Sequence, residues 1–405
     1  MCLLDGLSDP AKWEEFYSYK SSLACQQQFA EELRAYIDGR AFLPVCDEIG
    51  RGARFPLPEK AVISKMSSQK KRTVYSYPEP CGTVLKLLTW LLLRKYDGIF
   101  APNLWSFRPG RTAKEAVLRL TRLAGTKNAF AYKADISNYF NSVDISLLLP
   151  MLKETLGADE TLYAFLAALL TEPQVLDRGR PIAEQKGIMA GTPLASFYAN
   201  LFLKDLDVYF YAAGIPYARY SDDIIVFAPS REAAEAHAAY IRAFLAEKGL
   251  AMNPEKERFF APEEGWDFLG FHINGNEIDL APASVTKMKG KMRRKTRALK
   301  RWQKRNGLEG EKAAAAFIRV FNRKLFENSA DRELTWAYWF FPVLTTDKSL
   351  HEIDLYAQDC IRYLLTDKRT KARFNARYED LKALGYKCLV HEYYAFGEAS
   401  GGKQC

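Results

Sequence analysis

Two adjacent aspartates, Asp222 and Asp223, stand between two apolar runs of strand-forming residues, Tyr217–Tyr220 and Ile224–Ala228. Strands that bury their flanks can keep such charges only where the chain reverses at a sheet edge, because burying them unpaired is costly. Tyr220-Ser221-Asp222-Asp223 is therefore read as a tight β-turn. Acids favour turns, so the pair alone is equally compatible with a plain polar hairpin. Two carboxylates held side by side also repel, and a divalent cation turns that repulsion into binding. A third acid, Asp135, follows a strand expected over Phe130–Ala134. Three carboxylates on neighbouring strand ends would hold two metal ions roughly 3.5 to 4 Å apart, clamping the attacking and departing oxygens of a phosphoryl displacement.

The rest of the chain must supply a scaffold and a partner for such a turn. With 405 residues, 48% of them apolar, it can bury two or three subdomains. Lysine and arginine number 58 against 49 acids, a net charge of +9 that suits a polyanion. The seven cysteines lack CxxC spacing and the four histidines stand far apart, which argues against zinc and against a disulfide framework. The longest apolar run, Leu87–Leu93, is too short to cross a bilayer, so the expectation is a cytoplasmic protein with no membrane partner. Helices are expected over Thr192–Phe210 and over Arg231–Lys248, the latter capped by Ser230 and stopped by Gly249. A strand is expected over Trp266–Ile273, with Asn274-Gly275 as a hairpin turn. This irregular alternation predicts an α+β domain over 1–280, followed by a basic helical region over 281–405.

Several blocks in order over roughly residues 60 to 275 resemble one family. Lys133-Ala134-Asp135-Ile136-Ser137-Asn138-Tyr139-Phe140-Asn141 resembles the first palm motif of reverse transcriptases, and Tyr220-Ser221-Asp222-Asp223 their YxDD box. Gly187 to Leu194 with Ala199-Asn200-Leu201 is similar to the motif beneath template and incoming nucleotide, which implies nucleotide contacts at Ala190 and Gly191. Counted back from Thr192-Pro193, the family's usual glutamine falls at Gly187, or at Lys186 after one insertion. Ser106 to Arg111 resembles the fingers motif of group II intron enzymes, implying a nucleic-acid contact at Arg108. The resemblance also places Lys65 and Arg72 where fingers cations meet the triphosphate. Lys256, in Asn253-Pro254-Glu255-Lys256, falls where a lysine protonates departing pyrophosphate, and Phe268-Leu269-Gly270-Phe271 resembles the primer grip. Phe140 occupies the place of the aromatic ring that excludes a ribose 2′-hydroxyl. Carried over in full, the likeness implies a right-hand polymerase with fingers, a ferredoxin-like palm and a helical thumb. Its two Mg2+ ions would be held by Asp135, the Ile136 backbone, Asp222 and Asp223.

From Lys287 to Arg305 eleven basic residues run with no acid, among them Lys291, Arg294, Arg297 and Arg301. That block is read as a helix tracking a phosphate backbone. Arg362, Lys368, Arg369, Lys371 and Arg373 add a second basic patch. The stretch Ile361–Tyr394 is similar to the C-terminal region of bacterial reverse transcriptases outside the retron and intron groups, many of them defence-associated. The implied activity is RNA-directed DNA synthesis from deoxynucleotides on a DNA primer, with a structured noncoding RNA as partner and antiphage defence as the role. No RNase H or endonuclease domain is expected after the thumb. The competing readings are an intron-type maturase and a catalytically idle RNA-binding protein that kept the fold.

Overall fold

Apolar strand residues at the centre of the chain and amphipathic helices around them sort into two units in the computed structural model, the second beginning at Gly265. Residues 2–22, 27–64, 71–327 and 335–399 are described. The first unit carries β1 (Glu59–Ser64), β2 (Lys71–Ser76), β3 (Phe130–Asp135), β4 (Gln174–Asp177), β5 (Arg180–Ala183), β6 (Tyr217–Tyr220), β7 (Asp223–Ala228) and β8 (Arg258–Phe260). They form two four-stranded sheets, ordered β2-β1-β4-β5 and β6-β7-β3-β8.

The second of these sheets carries the acids. Its central strands β3 and β7 run antiparallel, with Ala134 facing Ile224 and Asp135 facing Asp223. Nearly every residue of β7 is buried, since helices must cover a strand this apolar. The helix Arg231–Glu247 packs on both strands through Ala234, Ala238, Ile241 and Leu245. Burying side chains such as Ile241 and Leu245 contributes roughly 1.5–3 kcal/mol apiece. Ser230 caps this helix by accepting from the Ala233 N–H at 3.2 Å, and Gly249 follows it at φ 69°. The helix expected over Thr192–Phe210 is instead two, Ala195–Phe202 and Lys204–Ala212, broken at Leu203.

The Leu87–Leu93 run lies inside the helix Cys81–Lys95 and is almost wholly buried, with the Thr89 hydroxyl donating to the Leu85 carbonyl at 2.7 Å. No helix among the described residues is long and apolar enough to cross a membrane. At the amino end, Trp13 is fully buried, stacks on Phe42 at 4.8 Å and donates to the Leu7 carbonyl.

The second unit opens with β9 (Trp266–Phe268), β10 (Phe271–Asn274) and β11 (Glu277–Leu280), ordered β11-β10-β9. The single strand expected over Trp266–Ile273 is thus a hairpin. Leu269 and Gly270 take left-handed φ of 49° and 93° and fold it back, so Phe271 pairs with Phe268. The break in composition near Leu280 falls at the end of β11, inside this unit. Next comes the helix Pro282–Arg305, which buries Val285, Met288, Met292, Thr296 and Leu299. That stripe packs against the helices Gly310–Phe326 and Lys348–Thr366. Phe340 and Phe341 are buried against Phe271 and Tyr393, whereas Tyr338 is exposed.

Candidate active site

Strand register brings the acids together. Asp135 ends β3 directly opposite Asp223, the first residue of β7, and Asp223 also pairs with Tyr220 on β6. Only Ser221 and Asp222 join β6 to β7, and Ser221 reverses the chain at φ 60°. One residue beyond Asp135 the ladder continues: the Ile136 N–H donates to the Asp222 carbonyl at 3.1 Å, and Ile136 bridges Met252. The Asn253 N–H donates to the Asp135 carbonyl at 2.7 Å. Three segments distant in sequence are therefore stitched by backbone at the point where the carboxylates project.

Beneath the turn lies a buried polar frame. Arg219, with no exposed surface, donates to Asp207 through Nε at 2.8 Å, to the Asn200 carbonyl at 3.3 Å and to the Ser221 carbonyl at 3.2 Å. Tyr217 donates to the same Asp207 carboxylate at 3.0 Å. Ser106 accepts from the Ser221 N–H at 2.8 Å and donates to Asn200 at 3.2 Å. A satisfied network of this kind rigidifies the loop above it.

Asp135, Ile136, Ser221, Asp222 and Lys256 line one side of a cavity of about 860 Å3. Burial, with the Asp222 and Asp135 charges adding to it, pushes Asp223 up to about 6. Asp222 is raised by burial and by Asp135, against the pull of Lys256 and Arg72. The Lys256 ammonium donates to Asp135 Oδ1 at 2.6 Å. No group of three or more acid, histidine or cysteine side chains among the described residues is arranged to hold a metal ion. Asp223 does not line the cavity, and Lys256 stands on Asp135 as its cation. The donor set nonetheless suits a hard divalent cation: carboxylate oxygens in mutual repulsion, with Ile136 beside them.

β2 and the loop before Ala195 also contribute to the cavity. Arg72 and Tyr75 line it with Ala190 and Gly191. The Tyr75 N–H donates to the Ala190 carbonyl at 2.7 Å. Asn141 ties the parts together, donating to the Thr73 carbonyl and accepting from the Ala190 N–H. Gly191, at φ 101°, has room for nothing larger, since a Cβ would sit 2.9 Å from the Tyr75 carbonyl oxygen. Phe140 lines the cavity and meets Phe107 edge-on at 6.4 Å.

Other expected positions fall elsewhere. Lys65 lies outside the described residues. Arg108 is mostly buried, paired with Asp97 from Nε to Oδ1 at 2.7 Å and bonded to the Ala101 carbonyl, so its guanidinium chiefly pins its own loop, and what surface remains lines the second hollow described below. Neither position counted for the family's glutamine presents a side chain to the cavity. A Cβ on Gly187 would lie 2.5 Å from the Phe140 carbonyl oxygen, and the buried Lys186 ammonium turns to the Glu172 carbonyl. The nearby Gln185 lines the cavity instead. Arg294, Arg297 and Arg301 are exposed on the Pro282–Arg305 helix of the second unit, and Lys291 is half-buried there.

A feature not anticipated is a second hollow of about 590 Å3 in the first unit, sharing Phe107 and Gly191 with the cavity. It alternates rings and cations, among them Tyr19, Trp90, Arg94 and Lys86. The Arg94 guanidinium stacks over Trp90 at 4.0 Å and Tyr19 at 4.4 Å. Its residues come from segments remote in sequence, so only the fold reveals it.

The family model for reverse transcriptase (RNA-dependent DNA polymerase) matches residues 63–273. No curated protein matches the chain in sequence. Among solved structures, the chain is similar to apo telomerase from Candida tropicalis truncated from its C-terminal domain, at 10% identity over 55% of each chain, TM-score 0.44. It is also similar to telomerase from Candida albicans in complex with the TWJ fragment of telomeric RNA, at 13% identity over 86% of this chain and 65% of that one, TM-score 0.45. The chain thus spans less than two thirds of the length of either.

Proposed function

Because the chain belongs to the reverse transcriptase (RNA-dependent DNA polymerase) family, we propose that it extends a DNA primer on an RNA template with deoxynucleotides, at the cavity bearing Asp135 and Asp222. The observation that carries this reading is the meeting of Asp135 and Asp222 on the lining of one cavity that Arg72 also lines, with Asp223 paired directly opposite Asp135 in the strand ladder. In this proposal Asp135, Asp222, Asp223 and the Ile136 carbonyl hold two magnesium ions, which when bound stabilise the attacking and leaving oxygens. Arg72 orients the triphosphate through its guanidinium fork. Phe140 closes the space a 2′-hydroxyl would need. Lys256 gives up its hold on Asp135 and delivers a proton from Nζ to the departing pyrophosphate.

The ring-and-cation hollow beside the cavity suits the unpaired template ahead of the primer end. The exposed arginines of the Pro282–Arg305 helix support a polyanionic partner, proposed to be a structured noncoding RNA, with a cytoplasmic role in antiphage defence. The purified chain with magnesium, an RNA template and labelled deoxynucleotides should lengthen a primer. Failure to do so while RNA still binds would favour an idle binding protein. Sequencing the RNA that copurifies separates a small noncoding RNA from an intron.

A further inference from the structure

The second unit carries a hollow that the polymerase cavity does not explain. Arg293 and Arg297, one turn apart on the Pro282–Arg305 helix, face Tyr356 and Tyr363 of the Lys348–Thr366 helix, with Arg369 and Arg373 supplied by the chain that follows. It measures about 340 Å3, within the roughly 300–1,000 Å3 of small-ligand sites. Among the described residues the only acid lining it is Asp359, and Arg373 already occupies that carboxylate, Nε to Oδ1 at 2.9 Å and Nη2 to Oδ2 at 3.3 Å. Arg293, Arg297 and Lys368 make no ion pair among the described residues.

Cations from two segments converge here on one carboxylate that is already paired. Like charges gathered in a concavity repel, and a bound anion relieves them. Guanidinium forks match phosphate oxygens in pairs. The Arg369 guanidinium lies over the Tyr363 ring at 4.9 Å, where a flat, π-bearing group fits equally well. Cys360, also on the lining, is pushed up to about 11 by burial, so it stands there as a neutral thiol rather than a nucleophile. The hollow has the means to hold a ligand and none to transform it.

We propose that this hollow seats one nucleotide of a single-stranded nucleic acid, its phosphate between Arg293 and Arg297 and its base on Tyr363 in place of the Arg369 guanidinium. The inference rests on the nucleic-acid partner proposed above, but it is read by binding rather than by synthesis. A chain that binds as described and never extends a primer would overturn the polymerase reading alone.

The test is fluorescence anisotropy with the full chain and two labelled probes of equal length, a single-stranded RNA oligonucleotide and an abasic sugar–phosphate oligomer. Tyr363→Leu should weaken the RNA roughly tenfold and leave the abasic oligomer unchanged, since stacking on a ring contributes about 1–3 kcal/mol per base. Tyr363→Trp, which keeps a stacking face, should restore the RNA. Arg293→Gln with Arg297→Gln should weaken both probes, and Arg297→Lys should recover only part of the loss. Equal loss on both probes for Tyr363→Leu, or no loss for the arginine pair in a protein of unchanged melting temperature, overturns the proposal. Competition by a free nucleoside monophosphate at matched concentration would show that the seat takes a free nucleotide, and would overturn the polymer as its source.

Discussion

Asp135 enters this structure already neutralised by Lys256, and Asp222 and Asp223 hold their protons more tightly than ordinary aspartates. The site therefore carries stored repulsion that a cation would discharge. If Asp222 holds metal as proposed, Asp222→Asn should abolish primer extension while RNA affinity, measured by filter retention, stays within about twofold, because one lost charge at the reacting centre matters to chemistry far more than to overall polyanion binding. Phe140→Ala should raise incorporation of ribonucleotides relative to deoxynucleotides; an unchanged ratio would remove the ring as the sugar gate. Gly187→Ala should cost about 1–3 kcal/mol in denaturant unfolding, as its methyl group would meet the Phe140 carbonyl in a left-handed backbone. At this scale the aspartates were legible because unlike segments each needed a reason to spend a charge in apolar company. Arg108 was not: nothing in its own motif reveals that Asp97, eleven positions upstream, takes up its guanidinium.

The hairpin β6–β7 depends on what lies below it. Arg219 and Asp207 form a pair with almost no exposed surface, and removing one partner strands the other's charge. Arg219→Met should therefore destabilise the fold by about 3–5 kcal/mol in chemical denaturation. A loss near zero would mean that the turn supports itself. On the Pro282–Arg305 helix, burial and the neighbouring Lys324, Lys287 and Arg294 charges push Lys291 down to about 8. Unfolded, this lysine keeps its proton into the ordinary lysine range, so the folded chain bears an extra cost below about pH 8 that is relieved as pH rises. Lys291→Met should raise the melting temperature at about pH 7, with the gain shrinking toward about pH 10. Element boundaries were less legible than element types. Nearly every residue of Ala195–Phe202 is buried, so no polar face marks where that helix stops at Leu203. The split of Trp266–Ile273 turns on Leu269 adopting a conformation leucine seldom takes.

For the molecule as a whole, the mixed architecture and its family were legible in the ordered blocks between residues 63 and 273. The unit boundary was not, since Gly265 falls between two strand-forming stretches, β8 and β9, with no change of element type to mark it. Neutralising Arg294, Arg297 and Arg301 together should lower the slope of log affinity against log salt by about 0.7 per cation on single strands. An unaltered slope would mean that this helix faces no phosphate. Phe107 and Gly191 line both hollows, the one that holds Asp135 and Asp222 and the one of rings and cations. A shared lining transmits shape. Whatever crowds the ring of Phe107 in the second hollow also meets the ring that Phe140 packs against edge-on in the first, so under the role proposed for Phe140 a change in the second room would be felt at the sugar in the first.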